Sequence, residues 1–307
     1  MGSPFGPIVL IANPKAGRGK VGRTLSDVEG VLRARDLEYR TVLTQRPGHA
    51  TEAARDALLR GERFLVAAGG DGTVHEVVNG MFADDRPVAE GAVLGVVACG
   101  SGCDFVRTFD LPGDAVGAAT HLSGEATRPV DVGRIELTSP GGGPAVRYFV
   151  NVAETGIDAD TVARATRLPR WMGRAQYLAA FWLVLPRFRP TTVRISADGH
   201  SLASRMHNVV IANARYFGGG MQISPKSQPD DGLLDALAMV GPKTDAFTIV
   251  PKVYRGTHLP HRNIVELRAK YVRVDADRPY LVEADGEVVG TTPASFDVLP
   301  RALLLKV

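Results

Sequence analysis

Three unbroken apolar runs mark the first hundred residues, at 8–12, 64–68 and 92–98. Continuous rather than alternating apolar residues are the pattern of strands buried on both faces. Between the first two runs, Val21, Leu25, Val28 and Leu32 fall on one face of a helix over 21–35, 39–43 reads as a strand, and 49–60 reads as a helix. Strand–helix alternation up to residue 124 predicts a doubly wound α/β domain. The pattern changes after 125. The segments 129–138 and 147–152 read as strand, turn, strand, and further strands are expected at 191–197, 205–213, 233–240, 264–275, 280–284, 287–290, 295–299 and 302–306. Helices are expected near 158–167, 174–185 and 243–254. The chain is therefore expected to form two domains, 1–124 α/β and 125–307 a β-sandwich, with return of the last strand to the first domain left open.

The apolar run at 64–68 stops at Gly69-Gly70, continues through Asp71-Gly72-Thr73, and enters a helical pattern at Val74, Val77, Val78 and Met81. Glycines let a backbone pass close to a bulky ligand. The N–H groups at a helix start, with the positive end of its dipole, form an anion site. Asp71 adds a carboxylate, which suits a divalent cation bridging to phosphate. The alternative is an ordinary βα turn. The run at 8–12 leads into Asn13-Pro14-Lys15-Ala16-Gly17-Arg18-Gly19-Lys20, where Pro14 and Val21 exclude a Walker A loop. The run at 92–98 ends in Cys99-Gly-Ser101-Gly-Cys103-Asp104, a second glycine-rich turn. With Thr44, these loops all follow strands, and ligands of such sheets bind outside the carboxyl ends of their strands.

Composition adds little. The 307 residues are 45% hydrophobic and 22% charged with a net charge of +3, as in a soluble globular protein. No motif or dense Lys/Arg run indicates nucleic acid. Cys99 and Cys103 are the only cysteines, which excludes a four-thiolate zinc site and a disulfide scaffold and fits reduced thiols in the cytoplasm. No signal-peptide pattern opens the sequence, and the most lipophilic stretch, 177–185, is too short to span a bilayer.

Taken together, Asn13-Pro-x-Ala-Gly17, Gly69-Gly-Asp-Gly-Thr73, Gly100-Ser-x-x-Asp104, Asp131-Val-Gly133, Asn151-x-Ala-x-x-Gly156, Asp230-Asp231-Gly232-x-Leu-Asp235, Gly256-x-His258 and Asp285-Gly-Glu287 resemble the diacylglycerol kinase catalytic family, the lipid kinase group that includes sphingosine and ceramide kinases. The resemblance implies a phosphofructokinase/NAD kinase-like α/β nucleotide domain, a β-sandwich domain, and ATP- and Mg²⁺-dependent phosphorylation of a lipid hydroxyl. It places ATP contacts on Asn13, Pro14, Lys15, Ala16, Gly17, Thr44, Gly69, Gly70, Asp71, Gly72, Thr73, Val74, His75, Glu76 and Ser101. It places a structural Mg²⁺ on Asp231 with the carbonyls of Gln228 and Leu233, and the proton acceptor on Glu287, with Asp285 as second candidate. Asp71 would hold or orient the catalytic Mg²⁺. Read without the resemblance, Asp285-Gly286 is an ordinary turn signal. Three positions depart from the family pattern: His75 for Asn, Ser101 for Thr, and Cys103 for Asn.

A lipid acceptor implies peripheral contact with the inner face of a membrane, and the family hints at a homodimer. Arg164, Arg167, Arg170, Arg174, Arg187 and Arg189 surround an apolar stretch bearing Trp182 near Trp171, which suits anionic lipid and equally suits a packed helix with solvated arginines. Two other readings stay open. NAD kinases share the Gly-Gly-Asp-Gly-Thr loop but carry a downstream Asn-Glu pair that this sequence lacks. A non-catalytic nucleotide- or lipid-binding regulator would explain the departures at 75 and 103.

Overall fold

The computed structural model describes residues 3–98, 103–169, 172 and 175–307. Ser101, Arg170, Trp171 and Arg174 lie outside them. The chain divides into two compact units: residues 1–132 with 301–307, and residues 133–300. The sequence reading set its division at 124/125.

Unit 1 is built on a parallel sheet. Its elements run β1 Ile8–Ala12, α1 Ala16–Ala34, β2 Tyr39–Leu43, α2 His49–Leu59, β3 Phe64–Gly69, α3 Asp71–Met81, β4 Val93–Ala98, α4 Asp104–Thr108 and α5 Ala115–His121. β1 pairs in parallel with β2 on one side and β3 on the other, and β3 pairs with β4. Leu304 and Leu305 pair in parallel with Val93 and Leu94, so the last strand closes this sheet. Every residue of β1, β3 and β4 is buried, as unbroken apolar runs require. Alternate residues such as Ile8, Leu10, Phe64 and Val66 pack with α1 and α5, while the intervening Val9, Ile11 and Leu65 are equally buried against the opposite layer. α2 and α3 approach closely at Gly80, where an added Cβ would collide with the Thr51 carbonyl.

Unit 2 is mostly antiparallel β. The strand β5 Thr127–Thr138 enters it, followed by β6 Pro144–Phe149, β7 Val152–Gly156, α6 Ile157–Ala165, α7 Ala175–Val184, β8 Thr191–Ala197, β9 His200–Met206, β10 Asn208–Ala212, β11 Leu234–Met239, α8 Ala246–Val253, β12 Ile264–Ala269, β13 Tyr271–Ala276, β14 Leu281–Ala284 and β15 Glu287–Lys306. One layer runs β12-β11-β10-β7-β14-β15 and the other β9-β8-β13-β15, so β15 belongs to both. Val209 and Ile211 of β10 point into the core between the layers. Val210 and Ala212 point to the opposite face, covered by Ile249 and Val253 of α8.

Two strand readings differ from the structure. The stretch 264–275 is two strands broken at Lys270, and the three expected strands after 287 are one strand of 20 residues. Pro293 and Pro300 lie within it, and proline cannot donate to a ladder. Both fall where β15 changes partner: 287–291 pairs with β14, 294–297 with β13, and 304–305 with β4.

Candidate active site

In unit 1 the chain passes from β1 outward to β2 and then returns to the other side of β1 as β3. This reversal is the switch point at which open α/β sheets bind ligands. Asn13 N–H donates to the Ala68 carbonyl at 3.0 Å, and Thr44 N–H donates to the Ala12 carbonyl at 2.9 Å. The loop carrying Asn13, Pro14, Lys15, Ala16 and Gly17, the residue Thr44, and the loop Gly69-Gly70-Asp71-Gly72 are thereby joined at one sheet edge. Asn13 Oδ1 accepts the Lys15 N–H at 3.1 Å and folds the first loop back on itself. Gly17 takes φ +57°, a left-handed conformation that glycine adopts without strain.

α3 begins at Asp71, with Gly70 before it in extended conformation and no side-chain cap. An added Cβ on Gly69 would collide with the Thr73 side chain, whereas Gly70 faces open space. Asp71 Oδ1 accepts the Phe105 N–H at 3.1 Å, tying α3 to the start of α4. The Cys103 thiol lies against the Asp71 carboxylate, with Asp104 also close; burial first and the Asp71 charge second push this thiol well above its ordinary pKa. Two carboxylates around an uncapped helix start are the hard oxygen donors a divalent cation uses beside phosphate. These residues fit Mg²⁺ and a nucleotide phosphate.

The rest of the predicted loop turns inward. Thr73, Val74 and His75 are buried. His75 Nε2 lies 3.3 Å from Asn79 Nδ2, one turn along the same helix. Glu76 Oε2 accepts the Ala50 N–H at 3.0 Å in the first turn of α2, whose own N-cap, Gly48, has no side chain. The Glu76 carboxylate is thus engaged as a helix cap.

In unit 2, Asp285 and Gly286 are the two central residues of the β14–β15 hairpin, with φ +49° and +90°. Positive φ at both positions is the type I′ turn that Asp-Gly favours. The turn signal and the functional candidate are therefore the same residues. Glu287 is the first residue of β15 and is exposed. Asp285 is buried and accepts three backbone N–H groups, from Val150 at 3.0 Å, Asn151 at 2.9 Å and Val152 at 3.2 Å. A carboxylate so engaged anchors the turn, which leaves Glu287 as the exposed carboxylate at its tip.

Behind the turn lies a group of acids that the sequence reading did not assign. Glu154 of β7 and Glu283 of β14 are cross-strand partners, 0% and 2% exposed. Glu283 Oε2 accepts the Gly286 N–H at 2.8 Å, so this pair touches the Asp285-Gly286 turn directly. Burial pushes both carboxyls well above their ordinary pKa, and neighbouring negative charge adds to it. Asp158, the second residue of α6, is raised to about 6 by burial although Tyr177 and Asn208 donate to it. The signal was present: one glutamate interrupts each of the apolar runs Val152-Ala-Glu154 and Leu281-Val-Glu283.

Asp231 sits in the 228–234 loop. Its Oδ1 accepts the Leu233 N–H at 3.0 Å, and the Arg268 guanidinium pairs with its Oδ2 and with Asp235. The Asp231 carboxylate is thus held between the Leu233 N–H and the Arg268 guanidinium.

Unit 2 also holds a narrow pocket of about 50 Å³ on the α8 side of the sheet. Leu178, Phe181, Phe217, Met221, Ile249 and Val253 make its wall apolar, and Asp158, Tyr177 and His207 are its polar groups.

Two family models match the chain. Residues 7–135 match the diacylglycerol kinase catalytic domain, and residues 151–307 match the YegS C-terminal NAD kinase beta sandwich-like domain. A diacylglycerol kinase of Bacillus subtilis (strain 168) is 30% identical over 95% of this chain and 93% of its own. One of Mycobacterium tuberculosis (strain ATCC 25618 / H37Rv) is 29% identical over 97% and 94%. Among solved structures, a diacylglycerol kinase from Bacillus anthracis str. Sterne has a TM-score of 0.74 at 24% identity, covering 99% of this chain and 97% of that one. Yeast NADH kinase complexed with NADH has a TM-score of 0.51 at 13% identity, covering 98% and 82%. These likenesses in structure show the fold.

Proposed function

Because the chain belongs to the diacylglycerol kinase family of ATP-using lipid kinases, we propose that it transfers the γ-phosphoryl group of ATP to the hydroxyl of diacylglycerol, giving phosphatidic acid. The observation that carries the phosphoryl-transfer reading is Asp71 at the uncapped start of α3, at the switch point of the sheet. The observation that favours a lipid acceptor over a dinucleotide is the apolar pocket of unit 2.

Phosphoryl transfer needs alignment and charge neutralisation more than covalent help from the protein. Backbone N–H groups at 70–72, with the Gly17 N–H in the first turn of α1, hold the phosphates. Asp71, with Asp104, would hold Mg²⁺, which supplies positive charge at the phosphate oxygens when bound. As the acceptor oxygen bonds to the γ-phosphorus and the bond to the bridging oxygen breaks, the hydroxyl proton goes to Glu287. Asp285 fixes the turn that carries Glu287 and takes no proton itself. The apolar pocket is about 50 Å³, so its walls must part for an acyl chain to enter. Incubation with Mg²⁺ and γ-labelled ATP against diacylglycerol, a sphingoid base, a polyprenol and NAD tests the reading. Label in diacylglycerol supports it; label in NAD alone overturns it.

A further inference from the structure

Glu154 of β7 is fully buried, and among the described residues no N–H or O–H donates to either oxygen of its carboxyl. An ionised carboxylate left in that state is strongly unfavourable. A protonated carboxyl carries its own donor and needs only an acceptor. Two apolar side chains would fill the space of Glu154 and Glu283 without the cost of burying carboxyls. Such acids weaken a fold, and they are characteristic of functional sites.

One acceptor is in position for that proton. Glu154 faces Glu283 directly across the β7–β14 ladder. Asp158 of α6 is also near, but its Oδ1 accepts the Tyr177 hydroxyl at 3.1 Å and its Oδ2 accepts the Asn208 amide. Asp285 engages its carboxylate with three backbone N–H groups. Glu154, Asp158, Tyr177 and Asp285 are the titratable groups that face Glu283, from β7, α6, α7 and the hairpin turn. None of them is cationic, and among the described residues neither Glu154 nor Glu283 has an ion pair. Two buried carboxyls side by side, with no cation to offset them, hold one proton between them. The Gly286 N–H, at 2.8 Å from Glu283 Oε2, favours the charged form of Glu283. Nothing favours the charged form of Glu154, so the proton stays there.

We propose that Glu154 and Glu283 are a proton-sharing pair that positions the base: the Glu154 O–H donates to Glu283, Glu283 holds the Gly286 N–H, and the turn thereby presents Glu287 in one fixed place. Asp285 ties the turn to the β6–β7 side, and Glu283 ties it to its own strand. Gly286 immediately precedes Glu287, so a shift at its N–H carries directly to the base. A displacement of about 1 Å at a reacting group is enough to slow a reaction severely. Glu283 is a positioning residue, since it acts through the turn. The pair takes its purpose from the kinase reading, while its shared proton stands without it.

The test begins with infrared spectra of the full chain carrying isotope-labelled glutamate. At pH 7 the wild type should show the C=O band of a protonated glutamic acid, and Glu154→Gln should lack it. Alongside, kcat and the KM for ATP are measured with diacylglycerol as acceptor. Glu283→Leu removes the acceptor of the Gly286 N–H; kcat should fall at least about tenfold, the weight of one hydrogen bond to a charged group, with the KM for ATP unchanged. Glu283→Gln restores an acceptor oxygen and should bring kcat back to within about threefold of wild type. Glu154→Gln donates an amide N–H in place of the shared proton and should stay within about twofold. A wild type with no protonated glutamic acid at pH 7 overturns the proposal, as does Glu283→Leu at the wild-type rate or Glu283→Gln as slow as Glu283→Leu. Should Glu283→Leu fail to fold, the band and the rate of Glu283→Gln decide. A shared proton in a chain that phosphorylates no acceptor would leave the pair standing and refute the kinase reading.

Discussion

Asp285 Oδ1 accepts the Asn151 N–H at 2.9 Å, and through this bond the tip of the β14–β15 hairpin is tied to the turn between β6 and β7. With the Val150 and Val152 bonds it makes Asp285 the anchor of the residue two positions on, Glu287. Asp285→Ala leaves three N–H groups without their acceptor. We expect a loss of about 3 kcal/mol in stability, since hydrogen bonds to charged acceptors are the strong class, and a fall in kcat with the KM for ATP unchanged. Urea unfolding and steady-state kinetics check both. Full activity in Asp285→Ala would refute the anchoring role.

The buried acids behind the turn make stability depend on pH in a definite direction. A carboxyl whose pKa is raised on folding binds its proton more tightly in the folded state, so the stabilisation is present below the unfolded pKa and lost as pH rises through the folded one. For Asp158 that window runs from 3.8 to about 6; Glu154 and Glu283 shift in the same direction. Glu154→Gln removes one ionisable member of the group at nearly the same size. Its melting temperature should exceed wild type at pH 8 by more than at pH 5. A variant less stable than wild type at pH 8 would contradict this account.

Glu76 and Asp71 lie five residues apart in one motif and do different work. Glu76 caps α2 through the Ala50 N–H. Glu76→Ala should cost about 1 kcal/mol, the typical value of a lost cap, and leave ATP affinity within about twofold, a difference of under about 0.5 kcal/mol. Asp71→Asn should weaken Mg²⁺-ATP binding while changing stability less. Calorimetric titration and thermal unfolding separate the two. Equal loss of nucleotide affinity in both would show that Glu76 reaches the ligand.

Cys103 is 7% exposed, and its thiol is held protonated by burial and by Asp71. The thiolate is the reactive form. In a Cys99→Ser background, Cys103 should resist a maleimide at pH 8 in the native protein and react fast in denaturant. Fast native labelling would mean that the thiol is open and ionised, against the geometry at Asp71.

The unbroken runs at 8–12, 64–68 and 92–98 made unit 1 legible, because strands buried on both faces have no polar register to hide them. The positions of the phosphate loops followed from those strands. β15 was not legible, since Pro293 and Pro300 look alike in sequence whether a strand ends or only changes partner. The inward turn of His75 and Glu76 was not legible either: their side chains are taken by Asn79 and by α2, a tertiary contact that no local pattern announces. Glu154 and Glu283 showed only as single charges inside apolar strands, and their pairing depends on a register that sequence does not state.

The most direct measurement is the single-turnover rate of phosphoryl transfer to diacylglycerol by Glu287→Gln beside wild type, with ATP affinity measured on the same preparations. The account predicts that the variant binds Mg²⁺-ATP as wild type does and transfers at least about 100-fold more slowly, the usual contribution of a positioned base. Transfer at the wild-type rate by Glu287→Gln would contradict it.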